Sequence, residues 1–261
     1  MRSTRDGTRR YGQHFLSDPA ILSRIVEASG VQPGDAVLEI GPGRGDLTRA
    51  LAAKSLRVLA VEIDRHLHRT LLEAQLPDNV EVRLGDAMAL TGEDLTSALG
   101  ARYRLVSNLP YEVTSATLKK FLSEIHPRPT TITLMVQKEV GERAAGREGM
   151  NRLALFCGYY ASDVRVLFRV PKGAFSPPPK VESCVLQLVP RPVPLLPPLA
   201  EASLFRLSEA AFAENRRQLR NSLKPILGAN VETRLQEAGI APEARPEDIP
   251  LESWVHLALK M

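Results

Sequence analysis

Apolar positions recur at helical spacing between residues 17 and 30: Ile21, Leu22, Ile25 and Val26 share one face, with Ser17 or Asp18 as N-cap, Pro19 in the first turn and Gly30 as the stop. From residue 36 the period shortens. "AVLEI" (36–40), "VLAVE" (58–62), "VEVRL" (80–84) and "RLVSN" (104–108) are short β-type runs, and helical patterns fill the first gaps between them. Two more follow, "TITLMV" (131–136) and "ESCVLQLV" (182–189). This alternation predicts an α/β fold with a mostly parallel sheet covered by helices. The proline-rich stretch "PRPVPLLPPL" (190–199) suits neither strand nor helix and reads as a stiff linker. Beyond it the pattern is entirely helical. The chain is therefore expected to hold a large domain over 1–192, with residues 1–12 as a basic arm, and a small all-helical C-terminal domain over 193–261.

Composition adds little to that picture and removes several classes. A chain of 261 residues with 34 basic and 30 acidic side chains carries a net +4, a weak tilt toward an anionic partner. Cys157 and Cys184 stand alone, so neither a zinc site nor a disulfide framework is indicated, no metal is expected, and a reducing cytoplasm is the expected setting. The N-terminal "MRSTRDGTRRYGQHFL" is basic without an apolar segment behind it. No run approaches eighteen apolar residues, so a membrane partner is not expected.

Candidate chemistry gathers at the ends of the strands. "VLEIGPGRGDLT" sets Gly41, Gly43 and Gly45 between a buried strand and a helix, where glycines allow a sharp turn and close approach of a ligand to the backbone. The spacing is G-x-G-x-G and no Lys-Ser/Thr follows, which disfavours a pyrophosphate. Glu62, followed by Ile63, closes the second strand, where a carboxylate can accept from two ribose hydroxyls. Asp86, followed by Ala87, closes the third, where it can accept from an adenine amino group. Each alone could be a helix cap or a solvated strand end. Together they outline an adenosine pocket with no phosphate site, for which S-adenosylmethionine is the common ligand. Glu39 suits its sulfonium, and Gln13, His14 and Leu16 can cover its methionine end.

The fourth strand runs into "NLPY". Methylating the delocalised N6 amine of adenine needs two acceptors that hold its hydrogens and aim its lone pair. The side-chain oxygen of Asn108 and a carbonyl of Leu109 or Pro110 can supply them, while Tyr111 offers a stacking face. Phe175, in the rigid loop "GAFSPPPKVES", is the candidate for the opposing wall, and Lys180 in the same loop can meet a phosphate. Basic residues cluster at Arg2, Arg5, Arg9 and Arg10, and in "FAENRRQLRNSLK", read as one helix that gathers Arg216, Arg217, Arg220 and Lys224 on a single face, a stripe suited to a nucleic-acid phosphate backbone.

The ordered series "YGQHFLSD", "EIGPGRGDLT", "VEID", "GDAM", "NLPY" and "FSPPPKVES" resembles the ribosomal RNA adenine N6,N6-dimethyltransferases over nearly the whole chain. That resemblance implies a Rossmann-like methyltransferase domain with a small helical domain. His14, Leu16, Gly41, Glu62, Asp86 and Asn108 would match cofactor positions, and Asn108, Leu109, Tyr111 and Phe175 target-adenine positions. It further implies dimethylation of two adjacent adenines near the 3′ end of small-subunit (16S) rRNA, with the immature subunit as partner and the enzyme acting as a monomer. Departures are Glu112, where the family often has Asn, and Met150-Asn151, where an aromatic and a glycine are common. Three rivals are weighed: the related resistance methylases of large-subunit rRNA, a non-catalytic assembly or transcription factor on the same fold, and a nicotinamide dehydrogenase, which leaves "NLPY" and Asp86 unexplained.

Overall fold

The computed structural model describes residues 14–213 and 218–261. In chain order its principal elements are β1 (Phe15–Leu16), α1 (Pro19–Ser29), β2 (Ala36–Ile40), α2 (Asp46–Ala52), β3 (Arg57–Glu62), α3 (Arg65–Glu73), β4 (Val80–Leu84), α4 (Gly92–Leu99) and β5 (Tyr103–Asn108). Next come α5 (Thr114–Lys119), β6 (Ile132–Gln137), α6 (Lys138–Ala144), α7 (Arg152–Tyr160), β7 (Ala161–Val170), β8 (Phe175–Ser176) and β9 (Ser183–Pro190). The chain ends in α8 (Pro198–Ala211), α9 (Leu219–Leu227), α10 (Val231–Glu237) and α11 (Leu251–Leu259).

Seven strands form one sheet in the order β4-β3-β2-β5-β6-β9-β7. Neighbours from β4 to β6 are parallel, and β9 runs antiparallel to β6. Every residue of β2 is buried, as is β3 beyond its first residue, because helical crossovers cover both faces of a parallel sheet. The order reverses between β2 and β5. Their pairing ends at Leu38↔Leu105, and beyond it the Ile40 N–H donates to Ser107 Oγ at 2.8 Å. The strands part without leaving that donor unsatisfied, and such a reversal is where open α/β sheets hold ligands.

Of the two candidate caps for α1, Asp18 is the one used. Its Oδ1 accepts from the N–H groups of Ala20 and Ile21, and Gly30 ends the helix at φ 71°. The six predicted strands lie where expected to within one residue at either end. Two features differ. β7 was not anticipated, although Val164, Val166, Phe168 and Val170 alternate along it. The proline-rich stretch is shorter as a linker than its composition suggested. Pro190 closes β9 and Pro198 opens α8, positions where a missing N–H costs little, which leaves 191–197 as the connection.

The chain divides into two compact units, one running up to Gly141 and resuming over Arg165–Pro190, the other formed by Glu142–Val164 with Arg191–Met261. A break at 192 therefore misassigns 142–164. The physical reason lies in α7. Tyr160 stacks on Phe205 of α8 at 5.8 Å, Tyr159 meets it edge-on at 5.4 Å, and the hydroxyls of both tyrosines donate to the Glu201 carboxylate. Asn151, one of the departures from the family pattern, caps α7 by accepting from the N–H groups of Leu153 and Ala154. Its side chain is thereby committed to that helix start.

Candidate active site

The glycine loop after β2 is built by its neighbours as much as by its own sequence. Gly41, Gly43 and Gly45 all have left-handed φ, at 66°, 60° and 82°. The Gly41 N–H donates to the Val61 carbonyl, and the Gly43 N–H donates to Glu62 Oε2 at 3.1 Å, so β3 fixes the loop twice. A Cβ on Gly43 would stand 3.2 Å from the Phe15 ring. Phe15 thus sits directly on the loop, and the Arg44 guanidinium lies over its ring, 4.3 Å from the centroid.

Phe15 is held there by β1, which pairs antiparallel with β8 through Phe15↔Ser176 and Leu16↔Phe175. The Ser17 N–H donates to the Ala174 carbonyl, and His14 Nδ1 lies 2.8 Å from the Pro177 carbonyl. The "FSPPP" loop and the segment from His14 to Ser17 are therefore a single wall. Together with the ends of β2 to β5 they enclose a cavity of about 530 Å³, the size of a small-molecule site.

Most of the candidates read from the sequence line this cavity. His14, Leu16, Glu39, Gly41 and Gly43 do so from the N-terminal segment and the loop, as do Glu62, Ile63, Asp86 and Ala87 from the next two strand ends. Asn108, Leu109, Pro110, Tyr111 and Phe175 complete it. Gly45 does not line it. Its place is at the start of α2, where a Cβ would meet Leu71 at 2.9 Å. Gln13 lies outside the described residues. Phe15, Arg44 and Met88 also line the cavity and were not anticipated. Arg44 was legible as the only cation within the glycine loop, whereas Phe15 depends on a two-residue strand pairing that no periodicity reveals.

The carboxylates occupy different environments. Glu62 is buried, with Oε2 on Gly43 and Oε1 accepting the Asp64 N–H at 2.9 Å. Burial raises its pKa, and those two donors partly offset the rise. Asp86 is exposed. One of its oxygens caps the short turn 87–89 by accepting from Met88 N, so it serves as a helix cap and a cavity residue at once. Glu39 is 1% exposed, and its Oε2 has no hydrogen-bond partner.

The "NLPY" turn leaves β5 at Asn108. Among the described residues the Asn108 amide makes no hydrogen bond, and no donor reaches the Leu109 carbonyl. The Pro110 carbonyl, by contrast, accepts the Val113 N–H at 3.2 Å. Of the two main-chain candidates, Leu109 is the unclaimed acceptor. The Tyr111 hydroxyl lies 2.8 Å from Ser183 Oγ on β9, which fixes the ring at the cavity rim, and burial raises its pKa. Phe175 is 5% exposed and belongs to the apolar core while also lining the cavity. The ring that pairs with Tyr111 is His14, 6.3 Å away and tilted by 34°.

The expected RNA contacts fare differently. Arg9, Arg10, Arg216 and Arg217, like Arg2 and Arg5, lie outside the described residues. Among the described residues, α8 ends at Ala211 and α9 begins at Leu219 with Gln218 as its N-cap, so Arg220 and Lys224 belong to a helix that starts after the undescribed stretch. Arg220 is ion-paired with both Glu232 and Glu243. Lys224 and Lys180 are exposed. Among the described residues no group of three or more His, Cys, Asp or Glu is placed to hold a metal, and no helix is long and apolar enough to cross a membrane.

The cavity fits an adenosine-bearing sulfonium: a glycine cradle without a phosphate-binding Lys, carboxylates at two successive strand ends, and an unpartnered buried carboxyl oxygen. Comparison with known proteins points the same way. The chain is 41% identical over 261 residues to the Ribosomal RNA small subunit methyltransferase A of Agrobacterium fabrum, covering 97% of this chain and 92% of that one. Its counterpart in Chromobacterium violaceum is 38% identical, with 96% and 94% covered. Among solved structures, the 23S rRNA methyltransferase ErmE superposes with a TM-score of 0.76 at 29% identity, over 94% of this chain and 98% of that one. A dimethyladenosine transferase from Plasmodium falciparum gives 0.75 at 25%, over 95% and 97%. The fold is thus the Rossmann-like methyltransferase fold with a helical C-terminal region. Since the family model for ribosomal RNA adenine dimethylase matches residues 5–261, the chain belongs to that family.

Proposed function

We propose that this protein transfers methyl groups from S-adenosylmethionine to N6 of adenines in small-subunit ribosomal RNA, twice per base, acting on two adjacent adenines. The observation that carries the reading is the pair of unclaimed acceptors at the cavity rim, the Asn108 side-chain oxygen and the Leu109 carbonyl. When bound, the donor supplies an electrophilic methyl on a sulfonium. Everything else is done by the chain's own groups.

Asn108 and Leu109 accept the two N6 hydrogens, which draws the nitrogen out of conjugation and directs its lone pair into the cavity. Pro110 keeps its own carbonyl in the turn through Val113, so the acceptor set is fixed at two. Tyr111, held by Ser183, stacks on the target base, a contact worth about 1–3 kcal/mol. After the first transfer the alkylated nitrogen gives one proton to solvent, one N–H remains and one acceptor suffices to hold it, so the same turn serves the second transfer. Lys180 and Lys224 are the described cations for phosphate contact, and Arg220 contributes only by exchanging its glutamate partners.

Small rather than large subunits are favoured by the naming of the sequence relatives, since the fold itself is shared with a 23S enzyme. Methyl transfer from labelled S-adenosylmethionine to purified immature small and large subunits, followed by nucleoside chromatography, tests both parts. N6,N6-dimethyladenosine is expected from small subunits. Labelling of large subunits alone would replace this reading with that of the large-subunit methylases.

A further inference from the structure

Among the described residues, five carboxylates line the donor cavity, Glu39, Asp46, Glu62, Asp86 and Glu112, against one guanidinium, that of Arg44. Glu39 is set apart from the others because it is sealed from solvent and its Oε2 accepts nothing. Its surroundings compensate little. Glu62 on β3 and Asp46 at the start of α2 repel a charge there. The neighbouring Thr48 hydroxyl is itself without a partner, so it lies near the carboxyl without a well-formed hydrogen bond to it. From the other walls the N-terminal segment brings His14, the glycine loop brings Arg44, β4 brings Asp86 and the turn after β5 brings Glu112. Arg44 is held against the Phe15 ring, and no ion pair ties it to Glu39. A buried polar atom with no partner in its own chain is a place for a ligand's charge.

Burial pushes the Glu39 carboxyl up to about 8, with the Thr48 hydroxyl offsetting part of the rise and repulsion from Glu62 and Asp46 adding to it. At neutral pH the empty cavity therefore holds the acid form. The methyl donor carries a sulfonium and an ammonium against one carboxylate, a net charge of +1. Its product, S-adenosylhomocysteine, has lost the sulfonium charge and is neutral overall.

We propose that Glu39 is the residue by which the cavity distinguishes the cationic methyl donor from its neutral product: donor binding ionises this buried carboxyl. The O–H bond breaks, its electron pair stays on the carboxylate oxygen and the proton passes to bulk buffer. The inference rests on the donor reading of the cavity given above. Its sign is fixed by linkage. Binding that releases a proton strengthens as pH rises, by up to about tenfold per unit, until the carboxyl of the free protein ionises on its own near pH 8. Product binding gains less, so the preference for donor over product grows across that range.

Isothermal titration of the full-length protein with S-adenosylmethionine and S-adenosylhomocysteine at pH 7, in phosphate and in Tris, counts the protons released. Wild type is expected to release nearly one proton more per donor than the Glu39→Gln variant does, and clearly less with the product. Glu39→Gln should also reduce the donor-to-product affinity ratio by about tenfold. Equal release with both ligands, or unchanged release in Glu39→Gln, overturns the inference. Should that variant fail to fold, wild type titrated from pH 6 to 8.5 decides: a ratio that climbs with pH supports it and a flat ratio overturns it. Donor binding without proton release sinks this inference alone, whereas no donor binding at any pH sinks the reading of the cavity as well.

Discussion

Gly43→Ala measures how firmly the glycine loop, the N-terminal segment and the cavity are joined. Alanine would have to hold φ at 60°, a left-handed conformation that costs about 1–2 kcal/mol once a Cβ is present. That Cβ would also stand 3.2 Å from Phe15 Cε1 and 3.3 Å from Cδ1. The ring must then retreat by a few tenths of an ångström, against the β1–β8 pairing that places it and at the expense of its contact with Arg44. Adding about 1 kcal/mol for that displacement gives a total of about 2–3 kcal/mol, or a fall in the thermal midpoint of about 4–10 °C for a chain of this size. In a Phe15→Ala background the ring is gone, and Gly43→Ala should cost only the backbone part, so the two changes couple by about 1 kcal/mol. Gly34→Ala is the control. A Cβ there meets nothing within 4 Å, and the expected change is within about 0.5 kcal/mol. Urea unfolding of the four variants reads the stabilities, and calorimetry with S-adenosylmethionine should show at least a tenfold loss of affinity, because the Gly43 N–H is tied to Glu62. If Gly43→Ala is as benign as Gly34→Ala, or costs the same with and without Phe15, the reasoning fails.

Glu39→Gln should make the ligand-free protein less sensitive to pH. The folded-state value near 8 lies above the ordinary 4.5, so the group's contribution is full below about pH 4.5 and is lost as pH rises through 8. Wild type is expected to lose up to about 5 kcal/mol across that window that the variant keeps, as urea midpoints at pH 4.5 to 8.5 would show. Asn108→Ala, which removes one of two acceptors, should lower the rate of methyl transfer by about 100-fold in single-turnover assays on small subunits. Tyr111→Phe should keep that rate while losing about 1 kcal/mol of stability with the Ser183 contact, whereas Tyr111→Leu should weaken RNA binding about tenfold in filter-binding titrations.

How much of this was legible beforehand depends on the range of the interaction concerned. The parallel strands were readable because a buried strand is a local apolar run. Glu39, Glu62, Asp86 and Asn108 could then be placed on one crevice simply as residues at strand ends. β7 alternates as well, but Arg165 and Arg169 stand between its apolar residues and keep it from reading as a local apolar run. The seat of Phe15 on Gly43 was beyond reach, since it depends on residues 15 and 16 meeting 175 and 176. The basic stretch is a different case. Helical spacing across residues 212–224 says nothing about whether the helix continues, and Gln218 in fact stands as the N-cap of a new one. Likewise, only the fold shows that Arg220 faces Glu232 and Glu243, which are 12 and 23 residues away in sequence.

The parting of β2 from β5 explains why the donor carboxylates and the "NLPY" acceptors share one cavity. Were the two strands paired to their ends, the main-chain groups beyond Leu38 and Leu105 would satisfy each other and leave no crevice. Ser107 replaces one of those bonds with its hydroxyl, so Ile40 keeps a partner while the backbone turns away toward Gly41. One residue later, Asn108 pairs with Met135 on the far side, which directs the chain into the Leu109-Pro110 turn along the opposite lip. The serine immediately before the Asn therefore supports the site in this chain by giving Ile40 its partner. Its hydroxyl is the hinge on which the donor side and the acceptor side separate.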